Sequence, residues 1–170
     1  MVFQKDLFPD ADNCIFEQSE SVYLAHISES YANKANKDLL ESTFRDVASS
    51  WIGCLNLIPI HRIDKHSKYL RQAQVSALFS ILGHLSNVEP TPATIVMPTG
   101  TGKTETMIAA VCALAYERVL VVVPSDSLSE QTFKKFVALG LLRKLNVIRD
   151  QALNPVTAML KGGVKTTEDF

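Results

Sequence analysis

Ile95-Val96-Met97-Pro98-Thr99-Gly100-Thr101-Gly102-Lys103-Thr104 is the stretch on which the fold turns. A short apolar run gives way to a turn with two closely spaced glycines, and Lys-Thr follows at the start of a helical pattern. Binding a triphosphate takes several donors converging on its oxygens and a lysine to neutralise charge at the β and γ positions. Gly100 and Gly102 permit positive φ, so successive backbone N–H groups can point inward as an anion nest. The helix that follows presents the positive end of its dipole to the same place. Lys103 has the reach for the β/γ oxygens, and the Thr104 hydroxyl stands where it can ligate Mg2+. The strict pattern G-x-x-x-x-G-K-[ST] wants glycine at position 97, where this chain has Met97. With a strand before it and a helix after it, the stretch still reads as a phosphate-binding loop.

Working outward, Met107, Ala110, Val111 and Leu114 lie on one face of a helix. Val119-Leu120-Val121-Val122-Val123 is a continuous apolar run of the kind buried on both faces of a parallel sheet. Pro124-Ser125-Asp126 breaks it, and a further helix to about Leu139 is expected to bury Phe133, Phe136 and Val137. Residues 155–160 read as a third strand. Strand, loop, helix repeated twice is a βαβα order, which predicts an α/β fold with a parallel sheet and right-handed crossovers.

Upstream, Leu70, Ala73, Ala77, Leu78, Ile81, Leu82 and Leu85 form one apolar stripe. Residues 87–94, with Pro90 and Pro92, read as a loop. Leu40, Phe44, Val47, Ala48 and Trp51 recur at helical spacing in a helix that ends before Pro59. Residues 59–68 are a polar connector. Residues 1–30 are weakly periodic, a loose lead-in with room for one short helix. The chain therefore divides into an acidic, mainly helical segment, 1–60, and an α/β unit, 61–170.

With 170 residues, 46% hydrophobic and 21% charged, the chain has an ordinary globular mixture and enough length for one real core. No apolar run approaches the ~20 residues of a membrane helix, and Met1-Val2-Phe3-Gln4-Lys5-Asp6 lacks the order of a signal peptide. A soluble cytoplasmic protein with no membrane partner is expected. Cys14, Cys54 and Cys112 are far apart and show no paired metal-ligand spacing, so reduced thiols are expected, with Cys112 in a core. The net charge of −1 conceals an asymmetry. Residues 1–60 are acidic, whereas 131–165 hold Lys134, Lys135, Arg143, Lys144, Arg149, Lys161 and Lys165 against Asp150 alone. Such a stretch attracts polyanions or is simply a solvated face.

Three segments fall in a telling order. Met97-Pro98-Thr99-Gly100-Thr101-Gly102-Lys103-Thr104 resembles a variant of motif I in which the first glycine is replaced. Leu70-Arg71-Gln72-Ala73-Gln74 resembles a Leu-Arg-x-x-Gln segment ahead of motif I, and Val119–Val123 with Pro124-Ser125-Asp126-Ser127-Leu128-Ser129-Glu130-Gln131 resembles motif Ia. Together they resemble superfamily-two helicases and translocases, closest to the type III restriction subunit and DEAD/DEAH-like group. The resemblance covers about residues 68–165 and leaves 1–60 unplaced.

The resemblance implies a P-loop NTPase with a RecA-like parallel sheet, an incomplete first motor lobe, with ATP and Mg2+ as cofactors. Its partner would be DNA or RNA, with DNA favoured. Pro98, Thr99, Gly100, Thr101, Gly102, Lys103, Thr104 and Glu105 would hold ATP, with Lys103 and Thr104 in catalytic roles and Thr104 on the Mg2+. The Gln74 amide offers a donor and an acceptor together, which suits the adenine edge, and Arg71 or Tyr69 could stack on the base. Pro124, Ser125, Ser127 and Gln131 would contact the nucleic-acid backbone, whose phosphates accept from hydroxyls and amides. Capping of the next helix by Ser125 or Asp126 is compatible with that role. The basic stretch from Lys134 lies either along the path of the strand or on an unrelated face.

Hydrolysis takes a carboxylate on Mg2+ and one to orient water, normally Asp-Glu at the end of an apolar strand. No such stretch is present; Glu168-Asp169 follows Lys165-Thr166-Thr167. The expectation is the N-terminal part of an ATP-dependent helicase or translocase, its second motor lobe lying further along a longer chain. These 170 residues alone are expected to bind ATP without turning it over. Two alternatives stand beside it: a non-catalytic P-loop module for phosphate or nucleic acid, and a small P-loop phosphotransferase.

Overall fold

A computed structural model describes residues 14–18, 23–28, 37–57, 69–87 and 91–160. Helix α1, Lys37–Trp51, forms where the apolar spacing predicts it, and its Val47, Ala48 and Trp51 are buried. Beyond α1 the chain lies against residues 147–149. Leu55 bridges Ile148, the Asn56 N–H donates to Val147 O at 2.7 Å, and the Arg149 N–H donates to Cys54 O at 3.0 Å. The Trp51 Nε1–H donates to Leu153 O at 2.9 Å, and the Leu153 N–H donates to Ser50 Oγ at 2.9 Å. Backbone groups of a connecting segment are thereby paired rather than left dry.

Helix α2, Gln72–Leu85, uses most of the predicted stripe: Leu70, Ala77 and Leu78 are buried and Ile81 and Leu82 partly so, whereas Ala73 and Leu85 are exposed. Helix α3, Lys103–Leu114, follows the glycine loop and packs on α2. Its buried face differs from the expected one. Ile108, Ala109, Ala110 and Cys112 are buried, whereas Met107 is exposed. Lys103-Thr104-Glu105 is followed by apolar residues almost without interruption, so periodicity had little contrast from which to choose a face.

Helix α4, Asp126–Val137, starts at Ser125, whose Oγ accepts from the Leu128 N–H at 3.4 Å. Phe133 and Val137 are buried and Phe136 partly so, as the sequence predicts. The main core joins α1, α2, α3 and the turns of 139–152 through Trp51, Leu78, Ile108, Leu139, Leu142 and Val147. Phe133, Val137 and Met159 form a second, smaller cluster. Cys54 and Cys112 are buried and free. Burial, with Cys54 beside it, pushes the Cys112 thiol up to about 12, so it stays protonated in the core at neutral pH.

The sheet seen among the described residues is not the parallel one that the sequence predicts, which stays unconfirmed. Strands β1, Cys14–Gln18, β2, Tyr23–Ser28, and β3, Thr157–Leu160, lie in the order β1-β2-β3, and both pairings are antiparallel. In register, Ile15 is paired with Ile27 across the first pair and Leu24 with Met159 across the second. The expected third strand thus exists, but pairs with a hairpin where only a loose lead-in was expected. Residues 95–97 and 119–123 form no ladder among the described residues. Val96 is 88% exposed, and Leu120 and Val122 are 72% and 83% exposed, so the described residues do not cover 119–123 on both faces as its composition suggests. An apolar run becomes a buried strand only when neighbouring strands take up its backbone groups, and none of the described residues does so.

Arg143, counted in the basic stretch, is a structural clamp. Its Nη2 donates to Ala152 O at 2.6 Å and to Asn154 Oδ1 at 2.9 Å, and its Nη1 donates to Asp150 O at 3.3 Å. A planar guanidinium presents its donors in a rigid fork, which suits several acceptors fixed in different directions. Arg143→Ala is expected to lower the unfolding free energy by about 2 kcal/mol in a urea titration, from lost charged hydrogen bonds. Arg143→Lys should recover less than half of that loss.

Candidate nucleotide-binding site

The glycine loop has the conformation that its residues demand. Gly100 and Gly102 sit at φ +78° and +88°, in the left-handed region that favours glycine. A Cβ at Gly102 would lie 2.4 Å from Gln74 Nε2, so that position is closed to a side chain on steric grounds too. Gly102 is the N-cap of α3, and its carbonyl accepts from the Thr106 N–H at 3.1 Å, from Thr106 Oγ1 at 3.2 Å and from Gln74 Nε2 at 3.1 Å. The first N–H groups of α3 therefore open toward the loop.

Pro98, Thr99, Gly100 and Lys103 are exposed, with Thr101, Gly102 and Thr104 partly covered. Pro98 O gathers the loop's own donors: Thr101 Oγ1 at 2.6 Å and Lys103 Nζ at 3.1 Å. Neither donor is committed to the core, so both can turn to a phosphate. The exposed lysine, the left-handed glycines and a helix N-terminus fit a nucleotide's phosphates. Among the described residues no group of three or more His, Cys, Asp or Glu side chains could hold a metal ion. A Mg2+ here would rely on Thr104 and on phosphate oxygens.

Arg71 and Gln74, expected at the base, are found holding the loop. Gln74 is buried, its Oε1 accepts from the Arg71 N–H at 2.8 Å, and its Nε2 donates to Gly102. Arg71 Nη1 donates to Gly100 O at 2.8 Å. Glu105, grouped with the loop in the sequence, is buried and points to α4, where Lys135 Nζ meets its Oε1 at 2.7 Å. That pair was not legible in the sequence, since 30 positions separate its members.

The turn before α4 presents Pro124 and Ser125 at the surface, and the first half of α4 presents Ser127 and Gln131. Ser125 Oγ accepts in the cap, which leaves its O–H free to donate. A groove of about 240 Å3 lies elsewhere, between residues 119–123, α4 and β3, lined by Val121, Val123, Phe133, Phe136 and Met159. Its apolar walls suit packing rather than phosphate.

The family profile of the type III restriction enzyme res subunit matches residues 67–163. The chain belongs to that family. No curated protein and no solved structure matches it. The res-subunit segment takes in Arg71, Gln74, the glycine loop, the Ser125 turn and all of β3, and leaves β1, β2 and α1 outside. Membership makes this a superfamily-two helicase-like region with a P-loop NTPase fold, in a family of ATP-dependent nucleic-acid enzymes. Such res-subunit relatives typically use ATP with Mg2+. No described helix is long and apolar enough to cross a membrane.

Proposed function

We propose that this chain binds Mg-ATP on the loop from Pro98 to Thr104 and the backbone of a nucleic acid, DNA in preference to RNA, at Pro124, Ser125, Ser127 and Gln131. The observation that carries it is the pair of left-handed glycines leading directly into α3, with the exposed Lys103 at its first position. Lys103 neutralises charge on the β/γ oxygens and Thr104 ligates the metal, which supplies electrostatic stabilisation of the phosphates. Gln74 and Arg71 hold the loop's carbonyls outward from the phosphate, so its N–H groups face the ligand. Residues 95–97 and 119–123 are parallel strands of a RecA-like first motor lobe once neighbouring strands are supplied, and a second lobe completes the motor. Residues 1–60 are an accessory segment that packs on the lobe, as the Trp51 indole in the main core indicates. The protein works in the cytoplasm.

The chain has no Asp-Glu pair closing an apolar run, so binding without turnover is the expected behaviour of residues 1–170. Calorimetry with Mg-ATP tests the reading beside Lys103→Ala, with phosphate release followed in parallel. Affinity is expected to fall at least about tenfold in the variant, the worth of one charged hydrogen bond. Equal affinities would overturn the proposed site, and steady phosphate release abolished by Lys103→Ala would overturn the absence of turnover.

A further inference from the structure

Glu105 directly follows Lys103-Thr104 in the first turn of α3, and its side chain is 5% exposed. Its carboxylate meets Lys135 in the last turn of α4, at 2.7 Å. The chain then turns over the pair. The Gly140 N–H donates to Lys135 O at 2.6 Å, and a Cβ at Gly140 would come within 3.1 Å of Ile108 and 3.8 Å of Glu105 Cγ. Glu105 is thus roofed by the turn that ends α4, and among the described residues Lys135 meets its charge.

The pair is buried on its Glu105 side only, Lys135 being 34% exposed, and such a pair adds little net stability because solvent screening and desolvation offset most of its attraction. What it does fix is geometry, since separating the partners leaves a carboxylate dry and unpaired. The first turn of α3 is the part of the helix that a phosphate would engage. The other end of α4, ten residues or about 15 Å along the helix axis from Lys135, is the Ser125 turn. A helix is a rigid element of the kind that can carry coupling between its two ends.

We propose that the Glu105–Lys135 pair is a positioning strut that couples nucleotide on the glycine loop to nucleic acid at the Ser125 turn. The proposal rests on the reading of both sites given above. Lys135 acts through Glu105 and touches neither ligand. Coupling of two ligands is reciprocal and is read as the ratio of one ligand's affinity with and without the other.

The test is Mg-ATP affinity of the whole chain by calorimetry, with and without a saturating single-stranded thymidine oligonucleotide. In the native chain the oligonucleotide is expected to change ATP affinity at least about fivefold. In Lys135→Met the ratio is expected to collapse to within about twofold of unity, Lys135→Arg should restore it, and Glu105→Gln/Lys135→Met should behave as Lys135→Met. A purely structural pair would lower the melting temperature and both affinities while leaving the ratio as it was, and that result overturns the strut. A native chain that binds both ligands without mutual effect also overturns it and leaves the functional reading intact. A native chain that binds neither overturns both.

Discussion

Trp51→Ala is expected to lower the unfolding free energy by about 3–5 kcal/mol, the range for removing a large aromatic side chain from a core. Trp51 is 4% exposed and packs in the main core cluster at the end of α1. Its indole also donates to Leu153 O, a carbonyl 102 residues away, which the alanine variant leaves without that donor. Trp51→Phe keeps much of the buried area and drops only the N–H, so about 1–2 kcal/mol is expected there. Trp51 is the chain's single tryptophan, so both variants are followed by circular dichroism in urea, with native fluorescence as the control. A loss below about 1 kcal/mol in Trp51→Ala would mean that α1 is not part of the cooperative unit.

The second large effect belongs to the glycine loop. Gly102→Ala is expected to cost about 2–5 kcal/mol and to abolish measurable Mg-ATP binding. Two terms combine: an L-residue at φ +88° costs about 1–2 kcal/mol. The new Cβ would also displace Gln74, whose buried amide then loses the Gly102 carbonyl, at about 1–3 kcal/mol. Gly100→Ala separates them. Gly100 is left-handed too, but a Cβ there meets nothing, so only the backbone term is expected. Urea titration of both variants checks the difference. Equal losses would remove Gln74 as the reason that position 102 demands glycine.

Much of the site was legible because phosphate binding imposes a local demand. Two glycines, a lysine and a threonine within five positions specify the turn, and the helix after it, without any distant contact. Helices α1, α2 and α4 were legible for the same reason, since amphipathic spacing states which face is buried whatever the partner. Helix α3 was legible as a helix and not as a face, because it is apolar nearly all round. Arg71, Gln74, Glu105, Lys135 and Arg143 look alike in the sequence as polar groups available to a ligand. In the structure each is occupied by the protein itself, and nothing local distinguishes the two cases.

The family, the glycine loop, the helices and the places where apolar runs begin and end were all readable from the residues alone, because turn chemistry and helical periodicity act over a few residues. Only the tertiary structure decided how those runs pair and which charges are spent within the fold. β3 joins β2 antiparallel although it reads like any parallel strand, and Lys135 belongs to Glu105 rather than to a polyanion. Strand pairing and ion pairing both close over tens of residues, so they depend on which surfaces the packed core brings within hydrogen-bonding distance.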